Sequence, residues 1–400
     1  MPTTHHCSTV MDTLKSVASA IAKKLPSTVR KENGPNEIID LQNIPRVREA
    51  RLLATGGYNS VWLVKLHQPL QVSQSVSESS ATPTSQTTNN HNPPISQFVL
   101  RLPGEDSLLP QQVTNDVAFK QFVANRLPHI PVPQVYLYQA TNHADTSFIV
   151  EEYIDCLPIS STWMSLSPSE KENLAQLLAN IMVDLAEVQF DMIGGLDPTD
   201  WSPAPTVEGC KLFKGRGKFH RNECYPIGPY KSTKEYILSC YDREIYYYTH
   251  ATSEDIDEEF FVDISVQDFV EELREKRKAL SEIDIVDEPF VLVHGDFLGR
   301  NILARGDQIT AVLDWDFAGF YPLSETLSYG DVDVVEMESE ELFNENMTWG
   351  RKIRAFVQNE IVKRSWDQSR IDLLMGDGNS ELGAARMEMF PEQGATCDSD

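Results

Sequence analysis

Residues 291–319 read VLVHGDFLGRNILARGDQITAVLDWDFAG, and this stretch decides the fold. Apolar runs suited to buried strands, Val291-Leu292-Val293 and Ala311-Val312-Leu313, stop at His294-Gly295-Asp296 and at Asp314. Asn301 stands at the edge of a third run, Ile302-Leu303-Ala304. Burying carboxylates and a carboxamide at strand ends costs several kcal/mol unless each finds a partner. Either they are satisfied turn and cap residues, or they converge on something charged.

Short strands are expected at 290–293, 302–305 and 309–313. If the last two pair as a hairpin, its ends bring Asn301 and Asp314 together. An amide oxygen and a carboxylate, both hard ligands, suit Mg²⁺, which takes few protein groups and shares the rest with phosphates and water. Asp296 is then left to accept a proton from an attacking hydroxyl. Phosphoryl transfer from a nucleotide requires that division of labour: a metal to neutralise phosphates and a base to orient the nucleophile.

Outward from this stretch the chain changes character near residue 155. ARLLATGGYNSVWLVKL (50–66) reads as a hairpin around Gly56-Gly57-Tyr58-Asn59. QPLQVSQSVSESSATPTSQTTNNHNPPISQ (68–97) is too polar to offset the entropy of ordering and is expected to be a disordered insertion. FVLRLP resumes as a strand. Residues 110–126 carry Val113, Val117, Phe119 and Phe122 as a helical stripe, and IPVPQVYLYQA and TSFIVEEYI follow as strands. The order is β-β-β-α-β-β. Beyond it, SPSEKENLAQLLANIMVDLAEVQF opens on a serine N-cap and runs as a long helix. Further helices are expected near 231–250 and 264–282, and the C-terminal stretch from GDGNSELG onward reads as a frayed tail. The class is α+β: a small β-rich half and a larger helical half, with a ligand site expected at their junction. The expected boundaries are an extension over 1–49, a nucleotide-binding part over 50–152 with the insertion at 68–97, a catalytic and acceptor-binding part over 153–365, and a flexible tail over 366–400.

HGDFLGRN and LDWDFAG resemble the catalytic loop and metal-binding segment of the aminoglycoside phosphotransferase and choline kinase-like enzymes, small-molecule relatives of protein kinases. The neighbouring wording, NILA and YPLSE, is similar to the broad fungal group carrying this phosphotransferase domain. The resemblance spans about 50–330 and is thinnest over 157–285. It implies a bilobal protein-kinase-like fold, with Asp296 as catalytic base and Asn301 and Asp314 as Mg²⁺ ligands. It also implies ATP as phosphate donor. GGYNSVW then takes the place of the nucleotide loop, with Gly56, Gly57, Asn59 and Ser60 near the phosphates. Arg101 stands where kinases carry a phosphate-binding lysine, and Asp116 where the family has a helical glutamate. Both depart from the pattern in a compensating way, since a longer cation facing a shorter carboxylate still spans an ion pair. IVEEYIDC resembles the interlobe connector, where Glu152 through its carbonyl and Ile154 through its amide would meet the adenine edge.

The composition narrows the alternatives. A formal net charge of -26 argues against a phosphate-backbone binder, so no nucleic-acid partner is expected. Six dispersed cysteines form no CxxC pair, as in reduced intracellular proteins. No apolar run approaches the roughly 20 residues of a membrane span. VMDTLKSVASAIAKKLPSTVRK (10–31) is amphipathic and basic. It fits a leading surface helix of a cytoplasmic protein, and alternatively a mitochondrial presequence. KGRGKFHR (214–221) reads as a surface loop, SEDIDEEF (253–260) as a solvated acidic turn, and the tyrosines of YDREIYYYTH as core or rim. The expected activity is an ATP- and Mg²⁺-dependent phosphotransferase acting on a small hydroxylated acceptor. The alternative is a catalytically impaired kinase-like nucleotide-binding module.

Overall fold

The computed structural model describes residues 47–70, 94–104, 106–207, 216–252, 256, 261, 264–327, 332–376 and 381–382. They divide into two compact units, one from residues up to 105 with Gln134–Tyr153, the other from Asp106–Pro133 and Ile154 onward. The fold is of the α+β, protein-kinase-like class, with a β-rich smaller unit and a mostly helical larger one.

The smaller unit is a five-stranded antiparallel sheet of β1 (Val47–Thr55), β2 (Asn59–Leu70), β3 (Ile95–Pro103), β4 (Val135–Gln139) and β5 (Phe148–Glu152), in the spatial order β1-β2-β3-β5-β4. Val64, Leu66, Leu100 and Phe148 form its buried cluster, with Trp62, Phe98 and Val150 packed against them. Branched and aromatic side chains fit this pleated, half-buried surface well.

The larger unit holds helices α1 (Gln111–Arg126), α2 (Ile159–Thr162), α3 (Pro168–Ala186), α4 (Thr233–His250), α5 (Val266–Glu282), α6 (Glu340–Lys363) and α7 (Gln368–Met375). Serine side chains start four of them. Ser167, Ser232, Ser265 and Ser339 each accept a backbone N–H of the first turn, and Ser167 with Glu170 completes a reciprocal capping box. Short strands β6 (Leu157–Pro158), β7 (Gln189–Phe190), β8 (Gly195–Leu196) and β9 (Pro203–Ala204) lie between the helices. Next come β10 (Phe290–Val293), β11 (Ile302–Arg305), β12 (Gln308–Val312) and β13 (Gly319–Pro322). β10 is central in the sheet β13-β10-β7 and buried along its whole length, which is why its sequence is continuously apolar. One large core joins Phe119, Trp163, Leu178, Tyr236, Leu292, Trp315 and Phe320.

Several sequence boundaries need correction. β1 begins at Val47, inside the expected extension over 1–49. Residues 106–133, expected within the nucleotide-binding part, group with the larger unit, because Ala118, Phe119, Phe122 and Val123 of α1 are buried in its core. The expected tail over 366–400 contains α7. This helix is capped by Asp367, closed by left-handed Gly376, and buries Ile371 and Leu374. β2 and β3 also extend into the expected insertion, through Leu70 and from Ile95; its remainder, 71–93, lies outside the described residues. So do the basic helix expected over 10–31, all of SEDIDEEF but Ile256, and the C-terminal stretch apart from 376 and 381–382.

Candidate active site

The strand ends bring the residues in question onto two adjoining loops. Val293 pairs with Gly319, so the end of β10 and the start of β13 share one edge of their sheet. Ile302 pairs with Val312 in the β11–β12 hairpin, and Leu313 N donates to Asn301 O at 2.8 Å. Asp314 therefore follows directly from a residue bonded to Asn301. The loops after β10 and after β12 cross at Gly295, whose φ is +83° and where a Cβ would overlap Phe317 O. Only glycine accommodates both the left-handed backbone and that approach.

Within the crossing, the side chains fix one another. Asn301 Nδ2 donates to Asp296 Oδ2 at 2.8 Å and to Asp296 O at 3.0 Å. Both partners are acceptors, so the amide nitrogen must face them, which turns Asn301 Oδ1 away as an available oxygen. Arg300 Nη2 donates to both carboxylate oxygens of Asp296, at 2.7 and 3.0 Å. His294 Nδ1 accepts from Asp296 N at 3.2 Å, and its Nε2–H donates to Leu313 O at 2.9 Å. Burial holds this imidazole below its ordinary pKa, although the carboxylates of Asp296, Asp314 and Asp116 pull the other way. It is a neutral tie between the two loops.

Asp314 has φ +62°, uncommon for a residue with a side chain. Carboxylate oxygens of Asp116, Asp314 and Asp316 lie within 4.8 Å of one another. Asp116 is fully buried, accepting from Trp315 N at 3.0 Å and from the equally buried Lys120 Nζ at 2.7 Å. Asp316 Oδ2 accepts from Gln112 Nε2 at 2.7 Å. Asn301 Oδ1 and the Asp314 carboxylate, on segments tied by the Leu313 N to Asn301 O bond, are hard oxygen donors of the kind that divalent cations take.

Of the residues singled out from sequence, Asp296, Asn301, Asp314 and Asp116 all lie in the larger unit, and Ile154 opens its second segment. Gly56, Gly57, Asn59, Ser60, Arg101 and Glu152 lie in the smaller unit. Gly56 N donates to Asn59 O at 2.9 Å in the β1–β2 turn, and Asn59 and Ser60 begin β2 opposite Pro103 and Leu102. A Cβ at Gly57 would meet nothing within 4 Å, and one at Gly56 only Asn59 O at 3.8 Å. Arg101 is 5% exposed in β3, between Val61 and Ile149. Glu152 N donates to Gln134 O at 2.8 Å. Sequence reasoning missed Arg300, Gln112, Asn115 and Lys120. Arg300 was visible as a cation four residues after Asp296. The other three recur with Asp116 at helical spacing along QQVTNDVAFKQF, where only Asp116 was singled out.

No protein of curated function matches the chain. Solved structures show a distant likeness. A thermostable mutant of aminoglycoside phosphotransferase APH(4)-Ia, in ternary complex with ADP and hygromycin B, is 15% identical with a TM-score of 0.44, covering 89% of this chain and 97% of that one. ADP-bound aminoglycoside phosphotransferase APH(2'')-Ib is 15% identical with a TM-score of 0.40, covering 86% and 95%. At the level of sequence families the match is direct: the model of the phosphotransferase enzyme family matches residues 82–329, more than half of the chain, and the chain belongs to that family.

Proposed function

We propose that the protein transfers the γ-phosphate of ATP, with Mg²⁺, to a hydroxyl of a small molecule. The observation that carries this reading is the Asn301 amide, whose nitrogen is committed to Asp296 while its backbone oxygen is tied to Leu313. One residue thereby fixes a carboxylate for proton acceptance and leaves its own amide oxygen for the cation that, in this reading, Asp314 also holds. In this reading Asp296 accepts the acceptor's hydroxyl proton as its oxygen attacks phosphorus, a role worth about 10²–10⁴ in rate. Asn301 and Asp314 would hold Mg²⁺, which supplies charge neutralisation at the phosphates.

The glycines of the β1–β2 turn support a nucleotide site. Neither has a left-handed φ or a packing neighbour that a Cβ would strike, so the unit's own structure does not require them. Backbone left bare of side chains lets a ligand's phosphates approach the N–H groups. Arg101 and Asp116 are proposed for nucleotide positioning, and Glu152 and Ile154 for the adenine edge. The acceptor's class follows from the base: a carboxylate that takes a proton serves a hydroxyl nucleophile.

A panel of hydroxylated metabolites, with and without amino groups, tests the proposal by Mg²⁺-dependent ADP release. At least one compound should stimulate release by the native protein and not by Asp296→Ala. Equal stimulation of both proteins would remove Asp296 from the role of base, and ADP release indifferent to Mg²⁺ would remove the metal.

A further inference from the structure

A loop that carries a metal ligand must hold its backbone where no ladder does so. After β12 ends at Val312, residues 314–318 run as irregular chain, and Asp314 takes a left-handed φ. Strain of that kind persists only where the surroundings over-determine it. Here those surroundings are the polar face of α1. Asp116 Oδ1 accepts from Trp315 N at 3.0 Å, and Gln112 Nε2 donates to Asp316 Oδ2 at 2.7 Å. Asn115 Nδ2 donates to Asp316 O at 2.9 Å and to Ala318 O at 2.7 Å, while its Oδ1 accepts from Leu196 N at 3.3 Å. Gln112 Oε1 accepts from Leu108 N at 2.9 Å, so both amides have their orientation dictated by donors on one side and acceptors on the other. Gln112, Asn115 and Asp116 are each at most 2% exposed. Gly195 belongs to the same arrangement: a Cβ there would overlap Asn115 Oδ1.

We infer that Asn115, with Gln112 beside it, is a positioning residue for the metal-binding turn: these two side chains set the affinity of the Asp314 site for a divalent cation without themselves touching cation or nucleotide. The inference rests on the phosphotransfer reading. It adds a function for a helix face that faces neither the apolar core nor solvent. Asn115 bonds two carbonyls of the turn, at positions 316 and 318, and a backbone N–H of β8, so it braces the turn against a neighbouring strand. Gln112 restrains the Asp316 carboxylate, so this neighbour of Asp314 keeps a fixed place as a cation enters.

The test uses the full chain with Asn115→Leu, which keeps the approximate volume and removes all three bonds, and Gln112→Leu, which leaves Asn115 in place. Two readouts are needed. Hydrogen exchange of the protein without nucleotide or metal should quicken about tenfold or more across 315–319 in Asn115→Leu, and about threefold in Gln112→Leu, with β10 unchanged. Mn²⁺ titration followed by electron paramagnetic resonance in the presence of ADP should show affinity lowered about tenfold and about threefold respectively, while ADP binding without metal stays within about twofold. Unchanged exchange at 315–319 would overturn the inference, and so would quickened exchange with native Mn²⁺ affinity. If Asn115→Leu fails to fold, Gln112→Leu alone decides by the same two measurements. A native protein that takes up no Mn²⁺ with ADP would overturn the phosphotransfer reading and the metal role of α1 together; the exchange arm separates that outcome from failure of the brace alone.

Discussion

At Asp296 the carboxylate is held from two sides, by the Asn301 amide and by the Arg300 guanidinium. Arg300 is 47% exposed, so the pair adds about 1 kcal/mol or less to stability. Its effect lies in aiming the carboxylate. Arg300→Met is therefore expected to lower kcat about tenfold, with KM for ATP and the melting temperature near native; steady-state kinetics and thermal unfolding check both. An unchanged kcat would reduce Arg300 to a surface ion pair. Burial of His294 gives stability a pH dependence whose sign follows from its cause. Its pKa is lowered in the folded protein by burial, so the unfolded chain binds a proton near pH 6.5 that the folded chain refuses. Its contribution is full above that pH and is lost as pH falls below it, with a slope approaching 1.4 kcal/mol per unit, roughly one proton. Denaturant unfolding between about pH 7.5 and 5.5 should show that slope, shallower by about one proton in His294→Gln. Equal slopes would contradict the assignment.

At the scale of elements, the crossing of the two loops is the most constrained point. Gly295→Ala forces a side chain into a left-handed backbone position and against Phe317 O. A loss of about 3 kcal/mol or more is expected in chemical unfolding. By contrast, Ser167→Ala removes only a cap at the start of α3 and should cost about 1 kcal/mol. The contrast explains what was legible beforehand. Helix starts were written locally: Ser167 with Glu170 three residues on is a signature that needs no tertiary knowledge. The strands β10, β11 and β12 were legible because each is a short apolar run that ends at a charged or turn residue. Asp296, Asn301 and Asp314 were legible because they stand where those runs end. The role of α1 was not. Its Val113, Val117, Phe119 and Phe122 gave one apolar stripe; of its polar residues only Asp116 was singled out, as the partner of Arg101, and Gln112, Asn115 and Lys120 carried no local signal. Only tertiary structure reveals that these four are buried, with Gln112, Asn115 and Asp116 answered by a turn about 200 residues later in the sequence and Lys120 by Asp116. α7 was missed for a different reason: at eight residues it is too short for periodicity to stand out, and burial of Ile371 and Leu374 sustains it.

For the molecule as a whole, acidic residues outnumber basic ones, 60 to 34. Such an excess keeps a protein soluble and strains its compact state by self-repulsion, which salt screens over about 10 Å at 0.1 M. The melting temperature should therefore rise between low and moderate ionic strength in a monovalent salt; a fall would mean that surface ion pairs such as Arg277–Asp242 outweigh the repulsion. The account's central claim concerns the cation. The most direct test is the melting temperature with ATP, with and without Mg²⁺, in the native protein, Asp296→Ala and Asp314→Ala. The account predicts a Mg²⁺-dependent increment in the native protein and in Asp296→Ala, and its loss in Asp314→Ala. An Asp314→Ala protein that keeps the full increment would contradict it.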